Sequence, residues 1–333
     1  MFHYQAYGLR LEANRPIGGL LPSEASAPVD LNVRLPSAPH FDSPPITSKL
    51  LHTGPERDPD GQPMSTLWRL ETACRAGYYQ LRFGKGGENV VFTLDAAGTW
   101  LWANWKETVH YDDVTSLLLR PALAAGLWLR GVTCLHASVV AIGGQAVALV
   151  GQATSGKSSL AAAFAARGQA VLADDVGALS DQGTRFLVQP AFPLLAIWPN
   201  TAAAVQADNL PRVWTAVEKR SLPLGGATET RAFRFEAQAL PLCAIYFLER
   251  RRPGLRAPVI EPLAAAEGLV RLAANNYTHT RLNAEHSARE FERFGRIARQ
   301  VPLRLLQRPD DLASLGSVCD AIVSDLARER RGA

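Results

Sequence analysis

The sequence predicts an α/β protein that begins with a small β-rich domain. Between residues 67 and 105, short stretches rich in aromatic and β-branched side chains are separated by glycines, which is typical of strands. Beyond residue 110, apolar strand-like runs alternate with alanine- and leucine-rich runs that favour helices. We therefore predict a β-rich domain with proline-rich loops over residues 1–110, and an α/β domain over residues 111–333.

The start of the β-rich domain carries weaker strand signals. Residues 4–12 alternate loosely between apolar and polar side chains and predict one strand. Ten prolines then lie between Pro16 and Pro63. Because proline fixes φ and lacks an N–H donor, we expect short edge strands joined by loops in this stretch.

The α/β domain opens with a helix, a hairpin and a second helix in the predicted order. Residues 112–130 favour a helix that ends at Gly131. Two apolar runs on either side of Gly143-Gly144 predict a β-hairpin, because a glycine pair suits a two-residue turn. Residues 158–168 favour a helix, and residues 169–180 predict a buried strand that ends in two carboxylates.

The later part of the domain contains further strands and helices. LPLCAIYFLER and VPLRLLQRP read as strands, and GLVRLAANNYT, HSAREFERFGRIARQ and DDLASLGSVCDAIVSDLARER read as helices.

A phosphate-binding motif lies between the hairpin and the second helix. GQATSGKS, residues 151–158, fits G-x-x-x-x-G-K-[ST], and its predicted flanks are the strand and helix that this motif requires. Backbone N–H groups of such a loop cradle phosphate oxygens, while the lysine reaches the outer phosphates and the final hydroxyl ligates Mg²⁺. The predicted nucleotide-binding residues are Gly151, Gln152, Ala153, Thr154, Ser155, Gly156, Lys157, Ser158 and Ser159.

Three further residues suggest phosphoryl chemistry. Asp174 and Asp175 end the strand after the loop, so Asp174 is expected to hold a metal or its waters and Asp175 to accept a proton from an acceptor hydroxyl. Repulsion between the two carboxylates would raise the pKa of one of them. His136 begins the strand that pairs with the one entering the loop, so it either orients Asp175 or is a structural histidine.

Composition and charge bear on whether the protein binds nucleic acid or membranes and on its compartment. The chain has a net charge of +4, and its arginine clusters, at 250–252 and at 328–331, lack the interleaved aromatics of a nucleic-acid groove, so we expect solvated edges. Four cysteines without a C-x-x-C pair, and no apolar run long enough to span a bilayer, lead us to expect a soluble, cytoplasmic protein that binds neither nucleic acid nor membrane.

The stretch from His136 to Asp175 resembles the HPr kinase/phosphorylase family. The shared features are LHASVV, the glycine hairpin, GQATSGKSSLAAAFAARG and VLADD. The resemblance implies a P-loop kinase core of the HPr-kinase/PEP-carboxykinase type with a mixed sheet, using ATP and Mg²⁺. It also implies that Asp175 is the general base, that His136 is its neighbour, and that Lys157 and Ser158 serve phosphate and metal.

Two departures distinguish this chain from the HPr enzymes. Thr154 stands where they have an inner glycine, and PAFPLLAIWP stands where they carry an acidic metal ligand beside Arg-Gly. YGLRL, FPLLAIWP, Glu218-Lys219-Arg220 and LPLCAIYFLER resemble instead a kinase-only branch that phosphorylates the C-terminal serine of lasso-peptide precursors. Lys219 and Arg220 would then bind phosphate or the peptide carboxylate.

Two function classes follow, and the kinase is favoured over the other. A serine kinase acting on a peptide or protein is the first, with an HPr-like protein as an alternative acceptor. A nucleotide-binding switch without a phosphoryl acceptor is the second, although no sensor segment or late arginine finger is evident. Because members of the family often assemble, a homo-oligomer is compatible with the resemblance.

Overall fold

The computed structural model describes residues 1–39, 45–73, 77–207, 209–215, 217–225, 233–277 and 284–332. They form a mixed α/β structure with two compact units, one built mainly on Met1–Val132 and the other on Thr133–His279 and Ala288–Ala333. Cys74 lies outside the described residues.

The strands and helices have the following bounds. The strands are β1 Phe2–Ala6, β2 Leu9–Ala13, β3 Leu21–Pro22, β4 Leu31–Arg34, β5 Pro45–Thr53, β6 Ser65–Thr72, β7 Gly77–Phe83, β8 Val90–Asp95, β9 Trp100–Trp105, β10 Thr133–Ile142, β11 Gln145–Val150, β12 Val171–Ala173, β13 Val176–Asp181, β14 Phe186–Val188, β15 Leu194–Ile197, β16 Arg220–Pro223, β17 Leu240–Leu248, β18 Val259–Pro262 and β19 Leu303–Gln307. The helices are α1 Tyr111–Leu117, α2 Leu123–Leu129, α3 Lys157–Ala166, α4 Pro199–Ala204, α5 Ala265–Ala274, α6 Ala284–Gln300 and α7 Leu315–Gly332.

The first unit is a nine-stranded sheet in the order β3-β1-β2-β4-β9-β8-β7-β6-β5. It is mixed, because β4 runs parallel to β2 and to β9 while the other neighbours are antiparallel. The single strand predicted over residues 4–12 is wrong, since Tyr7 and Gly8 turn with positive φ and split it into the β1–β2 hairpin. The proline-rich stretch also contributes β4, which lies inside the sheet rather than at its edge.

A helical segment packs on this sheet. α1 and α2 are joined by a π-helical turn, Leu118–Ala122, which contains Pro121 and interrupts the single helix predicted from the sequence. Trp128 meets Tyr79 of β7 edge-on, and the Tyr7 hydroxyl donates to the Leu119 carbonyl. The compact units therefore divide after Val132, whereas the sequence changes character near residue 110.

The second unit is built on an eight-stranded mixed sheet. Its main path is β11-β10-β13-β14-β17-β19-β18, β12 also pairs with β10, and β17 runs parallel to both β11 and β19. The alanine-rich helix α3 is buried along nearly its whole length, and its core cluster includes Leu160, Phe164 and residues of α7. A helix that is apolar on all sides is suited to such a buried position.

The predicted hairpin and the predicted helix after the loop are confirmed. β10 and β11 are antiparallel, and Gly143 and Gly144 both adopt positive φ in the turn between them. The acid pair directly follows the end of β12, as predicted, but the chain then continues into another strand. Asp174 and Asp175 separate β12 from β13, and both of these strands pair with β10.

Within the described ranges, no helix combines the length and the apolar character needed to cross a membrane.

Candidate functional site

The phosphate-binding motif forms the connection between β11 and α3. β11 ends at Val150, the loop spans residues 151–156, and α3 begins at Lys157. The Lys157 side chain is 5% exposed, and its ammonium donates to the carbonyl oxygens of Gly151 at 2.8 Å and Gln152 at 3.0 Å. The lysine is therefore folded back against its own loop.

Burial lowers the pKa of Lys157 to about 8. The charges of Asp175 and Asp174 act in the opposite direction, and those of Lys219 and Arg308 lower the pKa further. The charges of these side chains are therefore close enough to act on the lysine. Phosphate loop, acid pair and Lys219, predicted separately from the sequence, thus form one cluster.

Glycines and one threonine shape the loop. A Cβ atom at Gly151 would lie 2.8 Å from Ser155 Oγ, so only glycine fits there without displacement. Gly156 has a φ of +92°, and Thr154 has a φ of +62°. Thr154 thus adopts the left-handed backbone that a glycine reaches without strain, which explains physically why an inner glycine suits this position.

Asp175 also has a left-handed backbone, with a φ of +73°, and its carboxylate is contacted on both oxygens. His136 Nε2 lies 3.3 Å from Oδ1, and the Tyr277 hydroxyl donates to Oδ2 at 3.0 Å. The Asp175 side chain is 30% exposed and that of His136 is 23% exposed, so a ligand can still reach them. A strained residue held by neighbours on two sides is typical of a functional site.

Strand pairing brings His136, Asp175 and Tyr277 together. His136 pairs with Val176 in the β10–β13 register, which sets it beside Asp175. Residues 275–277, just after α5, run along the same strand: the His136 N–H donates to the Asn275 carbonyl and the Tyr277 N–H to the Cys134 carbonyl. No local sequence signal predicts Tyr277 as a site residue, because this pairing joins segments far apart in the chain.

Asp174 lies in different surroundings from Asp175. Its side chain is 2% exposed, and both oxygens accept hydrogen bonds, Oδ1 from the Ser138 hydroxyl at 2.6 Å and Oδ2 from the Ala196 N–H at 2.9 Å. The carboxylate thus fastens β12 to β10 and to β15. Any metal contact would use its remaining lone pairs or an intervening water.

The side chains near Lys157 fit Mg²⁺ through hard oxygen donors. Ser158 stands in the first turn of α3, and Asp174 and Asp175 supply carboxylates. Among the described residues, no group of three or more His, Cys, Asp or Glu side chains converges on one point. Mg²⁺ usually takes one or two protein carboxylates and completes its shell with phosphates and water.

The accessibility of the side chain to a ligand differs among Ser159, Lys219 and Arg220. The Ser159 hydroxyl is buried against Thr201 Oγ1 at 2.8 Å, so only its backbone N–H remains for a nucleotide. The Lys219 ammonium lies 5.7 Å from the ring centre of Trp198, a half-exposed indole at the start of α4. Arg220 lies 4.0 Å from Glu218, so its guanidinium is directed to that carboxylate.

Comparisons with known proteins leave the family open. No protein-family model matches the chain, and no curated protein sequence matches it. The solved structures with similarity include the Hpr(Ser) kinase/phosphatase from Coxiella burnetii, which is 14% identical. That alignment covers 60% of this chain and 90% of the other, with a TM-score of 0.29, a value that does not establish a shared fold.

Proposed function

We propose that this chain is an ATP-dependent serine kinase with a P-loop core of the HPr-kinase/PEP-carboxykinase type, using Mg²⁺. The observation that carries the proposal is that two parts of a phosphoryl-transfer site adjoin. One is a donor half, which would bind the nucleotide, and the other is an acceptor half, which would activate a hydroxyl. A glycine-rich loop with Lys157 at its end adjoins a carboxylate, Asp175, that His136 and Tyr277 hold from both sides. Transfer to a hydroxyl uses both halves, whereas nucleotide binding alone needs only the first.

The donor half binds the phosphates. The loop N–H groups and the amino end of α3 attract phosphate oxygens. Lys157 leaves the carbonyl oxygens of Gly151 and Gln152 and places its charge on the outer phosphates. Ser158 and Asp174 would hold Mg²⁺, which would supply charge neutralisation for the transferred phosphoryl group.

The acceptor half prepares a hydroxyl. Asp175 accepts the proton of a serine hydroxyl as that oxygen attacks the γ-phosphorus, and the bond from phosphorus to the leaving oxygen of ADP breaks in line. His136 and Tyr277 keep the carboxylate in position during the transfer. The exposed fraction of Asp175 leaves room for a peptide hydroxyl.

The acceptor we propose is the C-terminal serine of a lasso-peptide precursor. The support is the sequence resemblance to that kinase-only branch, together with Lys219 beside the cluster, where a cation can receive a terminal carboxylate or a phosphate. The partner is then a short peptide rather than a nucleic acid or a membrane, and the proposed compartment is the cytoplasm.

Mass spectrometry of acceptors incubated with ATP and Mg²⁺ tests the proposal. We expect one added phosphoryl group on peptides that end in serine, and none on the same peptides with the serine amidated or moved inward. Lys157→Ala should weaken ATP binding and lower the transfer rate by about two orders of magnitude or more. ATP binding without transfer to any serine peptide or HPr-like protein would contradict the kinase proposal and favour the switch.

A further inference from the structure

Three parallel strands of the second unit end at the same edge of the sheet. β11, β17 and β19 are neighbours, and each continues directly into a polar segment. The phosphate loop follows β11, Glu249 to Arg252 follow β17, and Arg308 follows β19. Because ligands of α/β proteins bind outside the carboxyl ends of parallel strands, all three segments border one candidate binding crevice.

Arg308 is a buried cation at this edge. Its side chain is 3% exposed, and it donates to the carbonyl oxygens of Ser155, inside the phosphate loop, and of Glu249 at 3.3 Å. No carboxylate of the described residues lies within ion-pair distance of it, and its Nε atom has no hydrogen-bond partner there. Burial, and then the charge of Arg251, lowers its pKa to about 10.

Arg251 meets Arg308 at Gly156. A Cβ atom at position 156 would lie 3.0 Å from Arg308 Nη1 and 3.3 Å from Arg251 Nη2, so both guanidinium groups point to the same spot. Arg251 is half-buried, and its nearest acid is Asp310, 3.6 Å from Nη1. Two cations therefore face a single carboxylate beside the amino end of α3.

This excess of positive charge is costly in the ligand-free protein. Two cations that share one carboxylate, Asp310, keep an excess of positive charge, which destabilises the fold unless a further counter-charge arrives. Because Gly156 has no side chain, the two guanidinium groups can approach its backbone closely. The dipole of α3, which begins at the next residue, adds further positive potential at this point. The arrangement is therefore incomplete without an anion.

We propose that Arg251 and Arg308 form a second phosphate-binding wall, which holds phosphate groups of the bound nucleotide in addition to Lys157. The inference rests on the proposed nucleotide binding and extends it to residues outside the motif. It also changes the interpretation of the Arg250-Arg251-Arg252 run, which the sequence suggested was a solvated edge. Only its central member is half-buried, while Arg250 and Arg252 are exposed.

Binding of ATP and of inorganic tripolyphosphate, measured by titration calorimetry, tests this wall. The variants are Arg251→Gln and Arg308→Gln, and Arg250→Gln is the matched control because it removes the same charge from the next position. We expect Arg251→Gln and Arg308→Gln to weaken both probes about tenfold, the loss expected for one charge-assisted hydrogen bond. The control should retain wild-type affinity.

Other outcomes overturn the inference. Weaker ATP binding with unchanged tripolyphosphate binding means that the arginines contact base or ribose.

Equal losses of affinity in Arg250→Gln and Arg251→Gln mean that binding depends only on the net charge of the protein. If Arg308→Gln does not fold, Arg251→Gln decides alone. Wild-type protein that binds tripolyphosphate but not ATP would contradict the kinase proposal, and weaker tripolyphosphate binding by Arg251→Gln and Arg308→Gln would then still support a phosphate-binding wall. Wild-type protein that binds neither would overturn both proposals.

Discussion

Asp174 and Asp175 are neighbours in the chain, yet their carboxylates enter opposite surroundings. Asp174 is 2% exposed and accepts hydrogen bonds from Ser138 and Ala196, which belong to two other strands. Asp175 is partly exposed, has a left-handed backbone, and is contacted by His136 and Tyr277. Of these two neighbouring acids, one therefore joins strands inside the fold and the other remains accessible at the surface.

The two acids lie in the break between β12 and β13. Successive side chains of an extended chain point to opposite faces of a sheet, which accounts for one inward and one outward carboxylate. The positive φ of Asp175 is a further departure from the extended backbone at this break. The strain costs on the order of 1 to 2 kcal/mol, and strain of this kind is typically retained at functional sites.

The largest expected effect is the loss of transfer in Asp175→Asn. Asparagine tolerates a left-handed backbone and can still accept the Tyr277 hydrogen bond, but it cannot take up a proton. We expect the rate at saturating ATP to fall by about 10²-fold or more, while ATP affinity and the free energy of unfolding stay near wild type. Normal transfer by this variant, in the same mass-spectrometric assay, would remove Asp175 as the base.

A stability effect should separate Asp174 from its neighbour. Asp174→Ala leaves the Ser138 hydroxyl and the Ala196 N–H buried without their acceptor, so we expect the free energy of unfolding to fall by about 2 kcal/mol in denaturant titrations. Asp175→Asn is the control one residue away. An Asp174→Ala protein with wild-type stability and no Mg²⁺-dependent transfer would assign Asp174 to the metal alone.

A smaller effect is expected from Tyr277→Phe. The ring remains while one of the two contacts to the Asp175 carboxylate is lost, so we expect about a tenfold lower kcat with an unchanged KM for ATP. Tyr246→Phe is a matched control, because the Tyr246 hydroxyl also donates to a carboxylate, that of Asp325 on α7. If both variants lower kcat equally, the role of Tyr277 is only structural.

The sequence predicts those parts of the site that depend on local signals. The Gly143-Gly144 turn, the loop from Gly151 to Gly156 and the helix after it are encoded within short stretches, and the structure has them where expected. The acid pair follows the end of β12, as predicted, but the chain continues directly into β13, which also pairs with β10. That continuation depends on a partner strand some forty residues earlier in the chain.

The contacts that complete the site come from distant segments and have no local signal. Tyr277 reaches Asp175 because residues 275–277 extend alongside β10, and Arg308 reaches Ser155 because β19 is placed next to β17. In the first unit, the turn at Tyr7 was missed because a bulky residue at positive φ is uncommon. Pairing between distant segments sets each of these positions, and neither composition nor periodicity carries a signal of such pairing.

The lowered pKa of Lys157 affects the thermodynamics expected for ligand binding. Its pKa of about 8 means that, above that pH, a large fraction of the free protein carries a neutral amine at the end of the phosphate loop. A polyphosphate brought to that amine favours its protonated form. Under the proposed function, binding in mildly alkaline solution draws a proton from the buffer, and we expect its enthalpy, measured by calorimetry, to vary with the ionisation heat of the buffer.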